Sequence, residues 1–165
     1  MIPQLVSGSA EIYQPPDTFL AEVFPDGVPP ARLLWLTGAR KEAAARILGH
    51  APPSLRVRYW MRGARSAWIL EEIGKEHPIT AGFVIEDGAV RRVRVLIYRE
   101  SRGWEVRFPA FTDQFTGARL TAEHHLDRHI DNISGATLSV GAMKRMAALA
   151  LYLASEIENN DDRAP

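Results

Sequence analysis

The chain has 165 residues, 46% of them hydrophobic, which suits one domain with a single buried core better than two. Lys plus Arg number 20 and Asp plus Glu number 20, so no net field draws the protein to nucleic acid or to an anionic membrane, and a nucleic-acid role is set aside. Cysteine is absent, which excludes disulfides, thiolate zinc sites, iron–sulfur clusters and cysteine nucleophiles; no window reaches the ~18 consecutive apolar residues of a membrane-spanning helix.

Met1 to Pro16 has neither the basic nor the apolar region of a signal peptide, and Pro3, Pro15 and Pro16 make residues 1–16 an extended arm. Asp17 is a candidate N-cap for a short helix over Thr18 to Phe24. Pro25, Gly27, Pro29 and Pro30 force a loop, and Ala31 to Thr37 reads as a short apolar strand. Ala39 to Leu48 is rich in good helix formers, with Gly49 where a C-cap belongs. From Leu55 to Ile73 the pattern is a strand, a tight turn around Gly63 and a second strand, although Glu71, Glu72 and Lys75 suit a helix equally well. Asp87-Gly88 lies between Ala81–Ile85 and Val90–Tyr98, two runs rich in β-branched residues, and so marks a hairpin. A strict two-residue loop pairs Ile85 with Val90; a bulge would shift that register. Val93, Val95 and Ile97 alternate with Arg92, Arg94 and Leu96, which predicts one face inward and one at least partly wet.

Pro109 to Phe115 reads as a turn or two of helix stopped by Gly117, and Leu120 to Ile133 is polar and ambiguous. Val140, Met143, Ala147, Ala150, Ala154 and Ile157 recur at three- and four-residue spacing, which predicts an amphipathic helix from about Ser139 to near Glu158. The expected whole is an α+β domain over 17–158, a twisted antiparallel sheet with packed helices and a long C-terminal helix, followed by a polar tail at 159–165.

Asp131 to Ser139 carries two hydroxyls and two tiny residues where the last helix begins. Free N–H groups and the helix dipole favour an anion there, and Gly135 and Ala136 let backbone come close to a bulky ligand. A threonine hydroxyl at such a place can hydrogen-bond a phosphate or be esterified to it. The residues alone leave both open, beside the plain reading of a helix cap and turn.

Ser134-Gly135-Ala136-Thr137-Leu138-Ser139, three residues after Asp131, resembles the flavinylation motif of the FMN-binding domain family, which includes the flavin-carrying subunits of sodium-pumping quinone reductases and of Rnf-type complexes. Upstream, Pro78 to Gly88 with Val93 to Gly103 resembles the family's hairpin and following turn, and Phe111 to Gly117 its Phe-x-x-Gln-Phe-x-Gly segment. The resemblance covers about residues 77 to 150. It implies an electron-transfer protein carrying FMN through a phosphoester to Thr137, attached from FAD by a magnesium-dependent flavin transferase. The implied partners are that transferase and a redox partner protein or membrane redox complex. The implied location is extracytoplasmic or periplasmic, with a leader upstream of Ile2. Carried over likewise, Asp131 and Ser134 to Ala136 are positions the transferase recognises, and Leu138 and Ser139 border the phosphate.

One departure is visible. After the Arg99-Glu100-Ser101 turn the family often has small residues, whereas this chain has Gly103, Trp104 and Glu105. A flavin site needs charge or donors near the ring edge and apolar surface over its face. Arg99, Arg102, Trp104 and Phe108 are of those types, and Glu100 or Ser101 suits the ribityl hydroxyls. The alternative for the arginines is a solvated strand face, and for the aromatics ordinary core.

Three other readings compete. On a strand, His125, Asp127 and His129 would share one face and, with His124, invite a metal, but the ordered spacing of zinc motifs is missing. Ser134 or Ser139 with His129 and Asp131 would make a hydrolase triad, yet no nucleophile elbow fits around either serine. The stronger rival is a sensor or adaptor module of the same fold with reversible or lost flavin.

Overall fold

The computed structural model describes residues 10–161. Six strands form one antiparallel sheet in the order β1-β6-β5-β4-β3-β2. They are β1 (Glu11–Ile12), β2 (Arg32–Trp35), β3 (Arg56–Arg62), β4 (Arg65–Ile73), β5 (Pro78–Glu86) and β6 (Ala89–Tyr98). The helices are α1 (Pro16–Val23), α2 (Gly38–Leu48), α3 (Pro109–Thr112) and α4 (Thr137–Asp161), and the architecture is the expected α+β.

Turn chemistry draws the central meander. Asp87 and Gly88 both take left-handed backbone, φ 53° and 74°, the pair of positive φ values a two-residue hairpin of matching twist requires. Ile85 pairs with Val90 as the strict loop demands. Of the two readings left open for residues 71–75, strand holds through Ile73, because Glu71 and Glu72 pair with Thr80 and Ile79.

Both faces of the sheet are covered, though unequally. On the inner face α2 and α4 close over a core that includes Trp68, Phe83, Phe115, Met143 and Met146, all fully buried. Tyr59 stacks on Trp68 there at 5.0 Å between ring centroids. On the outer face α1 packs Phe19, Leu20 and Val23 onto Ala67, Val84 and Leu96. That close approach depends on Gly82, where a Cβ would stand 2.5 Å from the Phe19 ring.

The alternation expected along β6 breaks at two places: Val84 pairs with Arg92 but Ile85 with Val90, which leaves Arg91 as an extra residue, and a second shift lies near the end of the strand. The register shifts between Thr80 and Ala81, with Thr80 opposite Ile97 but Ala81 opposite Val95, so Leu96 is an extra residue in β6. Val93 and Val95 therefore face the inner core, Leu96 and Ile97 both pack with the α1 cluster, and Tyr98 returns to the inner core. Along β6 the exposed residues are Arg91, Arg92 and Arg94.

Several boundaries differ from the sequence reading. The first helix starts at Pro16, with extended Pro15 in the capping position and Asp17 one residue inside the first turn making no cap bond. Proline fits the first helical position because its missing N–H would go unused there. Of the arm expected at 1–16, Glu11 and Ile12 join the sheet edge as β1, and residues 1–9 lie outside the described residues. The strand expected over Ala31 to Thr37 keeps only Arg32–Trp35. The helix at Pro109 tightens after Thr112 into a 3-10 turn, Asp113–Phe115, before Gly117 at φ 87°. The last helix begins two residues earlier than expected and runs 25 residues, through Asp161; residues 162–165 lie outside the described residues.

Candidate functional site

The site is built where three chain segments meet at one end of the sheet: the β4–β5 turn at 74–77, the turn after β6 at 99–103, and the start of α4. Gly135 takes left-handed backbone, φ 82°, and the Ala136 N–H closes a turn onto the Ile133 carbonyl. The helix ladder then begins with Val140 N–H donating to the Ala136 carbonyl at 2.9 Å. Thr137, Leu138 and Ser139 thus form the first turn, and an α-helix leaves N–H groups there without intrahelical acceptors. Ala136 is buried while Thr137 and Leu138 are exposed. The Thr137 hydroxyl oxygen accepts a hydrogen bond of 3.0 Å from the Asn132 side-chain amide.

These residues wall a hollow of about 410 Å3 lined by Gly135 to Ser139 on one side and by Lys75, Glu76, Glu100, Ser101 and Arg102 on the other. Lys75 and Arg102 bring positive charge, and the helix start brings dipole and N–H donors. No Cβ built on Gly135 meets anything within 4 Å, so there is open space for a ligand beside it.

Beneath the hollow a small polar knot fixes the start of α4. The Tyr98 hydroxyl donates to the Arg102 carbonyl and lies 2.9 Å from the Ser139 hydroxyl. A Cβ on Gly103, itself left-handed at φ 84°, would meet the Tyr98 oxygen at 2.6 Å and the Ser139 oxygen at 2.9 Å. Burial pushes the Tyr98 phenol above its ordinary value despite the opposing hydrogen bond from Ser139. Ser139 lines the hollow, but its hydroxyl belongs to this knot.

Glu100 does the same for the facing turn. Its Oε1 accepts from the backbone N–H groups of Lys75, Glu76 and His77 at 3.2, 2.5 and 2.7 Å. Burial alone would raise its carboxyl, but the three backbone donors outweigh that and hold it below the ordinary carboxylate range. This oxygen is therefore spent on shaping the turn rather than free for a ribityl hydroxyl.

Of the residues singled out in the sequence, Gly135 to Ser139, Glu100, Ser101 and Arg102 come together around this hollow. Ser134 is exposed on the turn before it. Asp131 lies beyond the lining, its N–H donating to Gln114 Oε1 at 2.7 Å and its carboxylate 3.3 Å from His129. Trp104 sits in a 3-10 turn, 42% exposed and outside the lining, so it is not core. Phe108 is also exposed and lies under the Arg107 guanidinium, beside a different depression. Arg99 turns away to donate to the Pro78 carbonyl and the Thr80 hydroxyl.

Lys75, Glu76 and Tyr98 were not foreseen as site residues, and Asn132 fell within the Asp131–Ser139 stretch without a role of its own. A Gly-Lys pair between two strands was the one available signal for Lys75; nothing local marked Tyr98. The histidine cluster does not gather as a strand face would require. The segment is a series of turns, His124 is left-handed and stacks on Tyr152 at 4.9 Å, and Asp127 accepts from Arg119 N–H. Among the described residues, the group of three metal-type ligands within 4.8 Å of one another is instead Glu76, His77 and Glu100. A triad is equally unsupported: Ser139 is buried against Tyr98, and His129 stands in solvent.

A surface hollow framed by a helix start, two cations and small residues is chemically suited to an anionic, bulky ligand. Residues 74–152 match the family model of the FMN-binding domain, so this chain carries an FMN-binding domain and is a flavoprotein with FMN as its cofactor. No curated protein and no solved structure was found to match the chain. Among the described residues no helix is long and apolar enough to cross a membrane.

Proposed function

We propose that this protein is an electron carrier holding FMN through a phosphoester to Thr137, attached by a flavin transferase from FAD. The observation that carries this reading is the exposed Thr137 hydroxyl at the first position of a 25-residue helix, on the wall of the hollow. In attachment, Thr137 Oγ1 gives up its proton and bonds to the FMN-side phosphorus of FAD. The pyrophosphate bond breaks and AMP leaves. Asn132 steadies the oxygen, the first-turn N–H groups face the phosphate, and Lys75 and Arg102 offset its charge. Gly135 keeps the approach clear.

When bound, FMN supplies one- and two-electron chemistry. The chain's own residues bind and orient it at the surface, where a redox partner protein or membrane redox complex can reach it. An extracytoplasmic site of action belongs to the same proposal.

The test is co-expression with a flavin transferase followed by intact mass and a denaturing gel. The expected mass gain is one FMN less one water, with a fluorescent band. A flavin that separates from the chain on denaturation would replace this reading with the reversible sensor or adaptor.

A further inference from the structure

The outer face of the sheet is closed by α1 over β4 to β6, but among the described residues no helix lies over β2 and β3. What remains is an open shelf. Leu33 and Trp35 are 50% and 53% exposed, directly opposite Arg58 and Arg56 across the β2–β3 ladder. Between this shelf and α1 runs a groove of about 520 Å3 lined by Leu20, Leu33, Arg56, Arg58, Trp60 and Ile69. Asp17 is the single acidic residue in its lining. Neither β2 nor β3 contains an acidic residue. Among the described residues Arg56 and Arg58 have no ion-pair partner, whereas Arg65, Arg92, Arg94 and Arg99 on the same face do; Arg62, further along β3, also lacks one but donates to the Gly27 carbonyl and lies over the Phe24 ring.

From this we propose that the groove docks an acidic amphipathic helix of a partner protein. Leu20, Leu33, Trp60 and Ile69 form an apolar floor for the helix's apolar stripe, and Arg56 and Arg58 meet its carboxylates. The incoming helix lies beside α1 in the same layer, as neighbouring helices on one sheet do at spacings of about 10 Å. A concave seat walled on one side by α1 fits a rod better than a flat lipid surface. β4 leads from Ile69 to Ile73, and Lys75 lines the flavin hollow, so the seat is six residues, roughly 20 Å of strand, from that hollow. The docking itself does not depend on how the flavin is held.

The test uses the flavin-loaded full chain, isotopically labelled, and two synthetic peptides of about 18 residues with the same leucine stripe and either glutamate or lysine on the other face. The expected result is that the glutamate peptide shifts the backbone signals of Leu33, Trp35 and Trp60, and the lysine peptide does not. Its affinity falls about tenfold or more in Arg56→Glu/Arg58→Glu, less in Arg56→Gln/Arg58→Gln, and also when salt is raised from about 0.05 to 0.5 M. FMN loading and the unfolding midpoint of both double variants stay at the wild-type level. That separates a failed docking site from a failed flavin assignment or a misfolded chain. Absence of binding by the glutamate peptide, shifts confined to another face, or arginine-dependent binding to phosphatidylglycerol vesicles in place of the peptide would each overturn the proposal.

Discussion

Thr137 faces solvent because of the two residues before it. Gly135 supplies the left-handed turn and Ala136 points into the core, so the next side chain is thrown outward as the helix starts. Replacing Thr137 with Ala removes one exposed hydroxyl and its bond to Asn132, which costs under about 1 kcal/mol. The variant is expected to fold normally and to lose all denaturation-resistant flavin, read by intact mass. Glu100 gives a second prediction. Glu100→Ala leaves three backbone N–H groups of the 75–77 turn without their shared acceptor, for a loss of about 1–2 kcal/mol in urea unfolding. Because its folded carboxyl is held below the ordinary 4.5, the stability it contributes is present above that value. It is lost as pH falls through the lowered one, and the variant should lack this part of the acid limb. The Ser-Gly-Ala-Thr stretch was legible because its chemistry is local in sequence. Glu100 was legible as a polar turn residue but not in its role, since its partners lie 23 to 25 positions away.

Among the elements, those written by local rules emerged from the sequence nearly intact: α2 with left-handed Gly49 behind it, the Asp-Gly hairpin, and α4. Their edges were not, because tertiary partners set them. α4 starts at Thr137 rather than Ser139 because the Ala136–Ile133 turn feeds directly into the ladder. The pairing of Glu71 and Glu72 with β5 likewise overrides their helix propensity. The seat of α1 is a further case, since nothing beside Gly82 in the chain announces that Phe19 will rest on it. Gly82→Ala puts a methyl within 2.5 Å of a ring that is fully buried and has nowhere to retreat. The expected cost is about 1–3 kcal/mol by chemical denaturation, with α1 loosened first in hydrogen exchange while the hollow beside Thr137, on another side of the sheet, keeps its protection.

Across the whole molecule, one buried carboxylate ties three elements together. Glu72 on β4, 5% exposed, accepts from Arg145 of α4 at 3.2 Å and lies 2.8 Å from Nε2 of His50, the second residue beyond α2. The Ala51 carbonyl, then the Glu72 carboxylate, raise the His50 imidazole above its ordinary 6.5. A raised folded value means that this stabilisation is complete below 6.5 and fades as pH climbs through the folded value. His50 is half exposed, so the effect is screened and small; His50→Gln should flatten the neutral limb of stability against pH in urea titrations. The largest consequence of the architecture belongs to the second of the two surplus residues in β6, Leu96. By stepping the strand out of phase at Leu96, it turns Tyr98 inward, and with Tyr98 goes the knot that anchors the start of α4. Strict alternation after Val95 with both Leu96 and Ile97 kept would send the tyrosine to the α1 side and unlatch the start of α4, whereas deletion of Ile97 would remove the bulge and leave Tyr98 facing inward. The firmness of the helix start is thus a matter of phase, set where two neighbouring residues of β6 share one face.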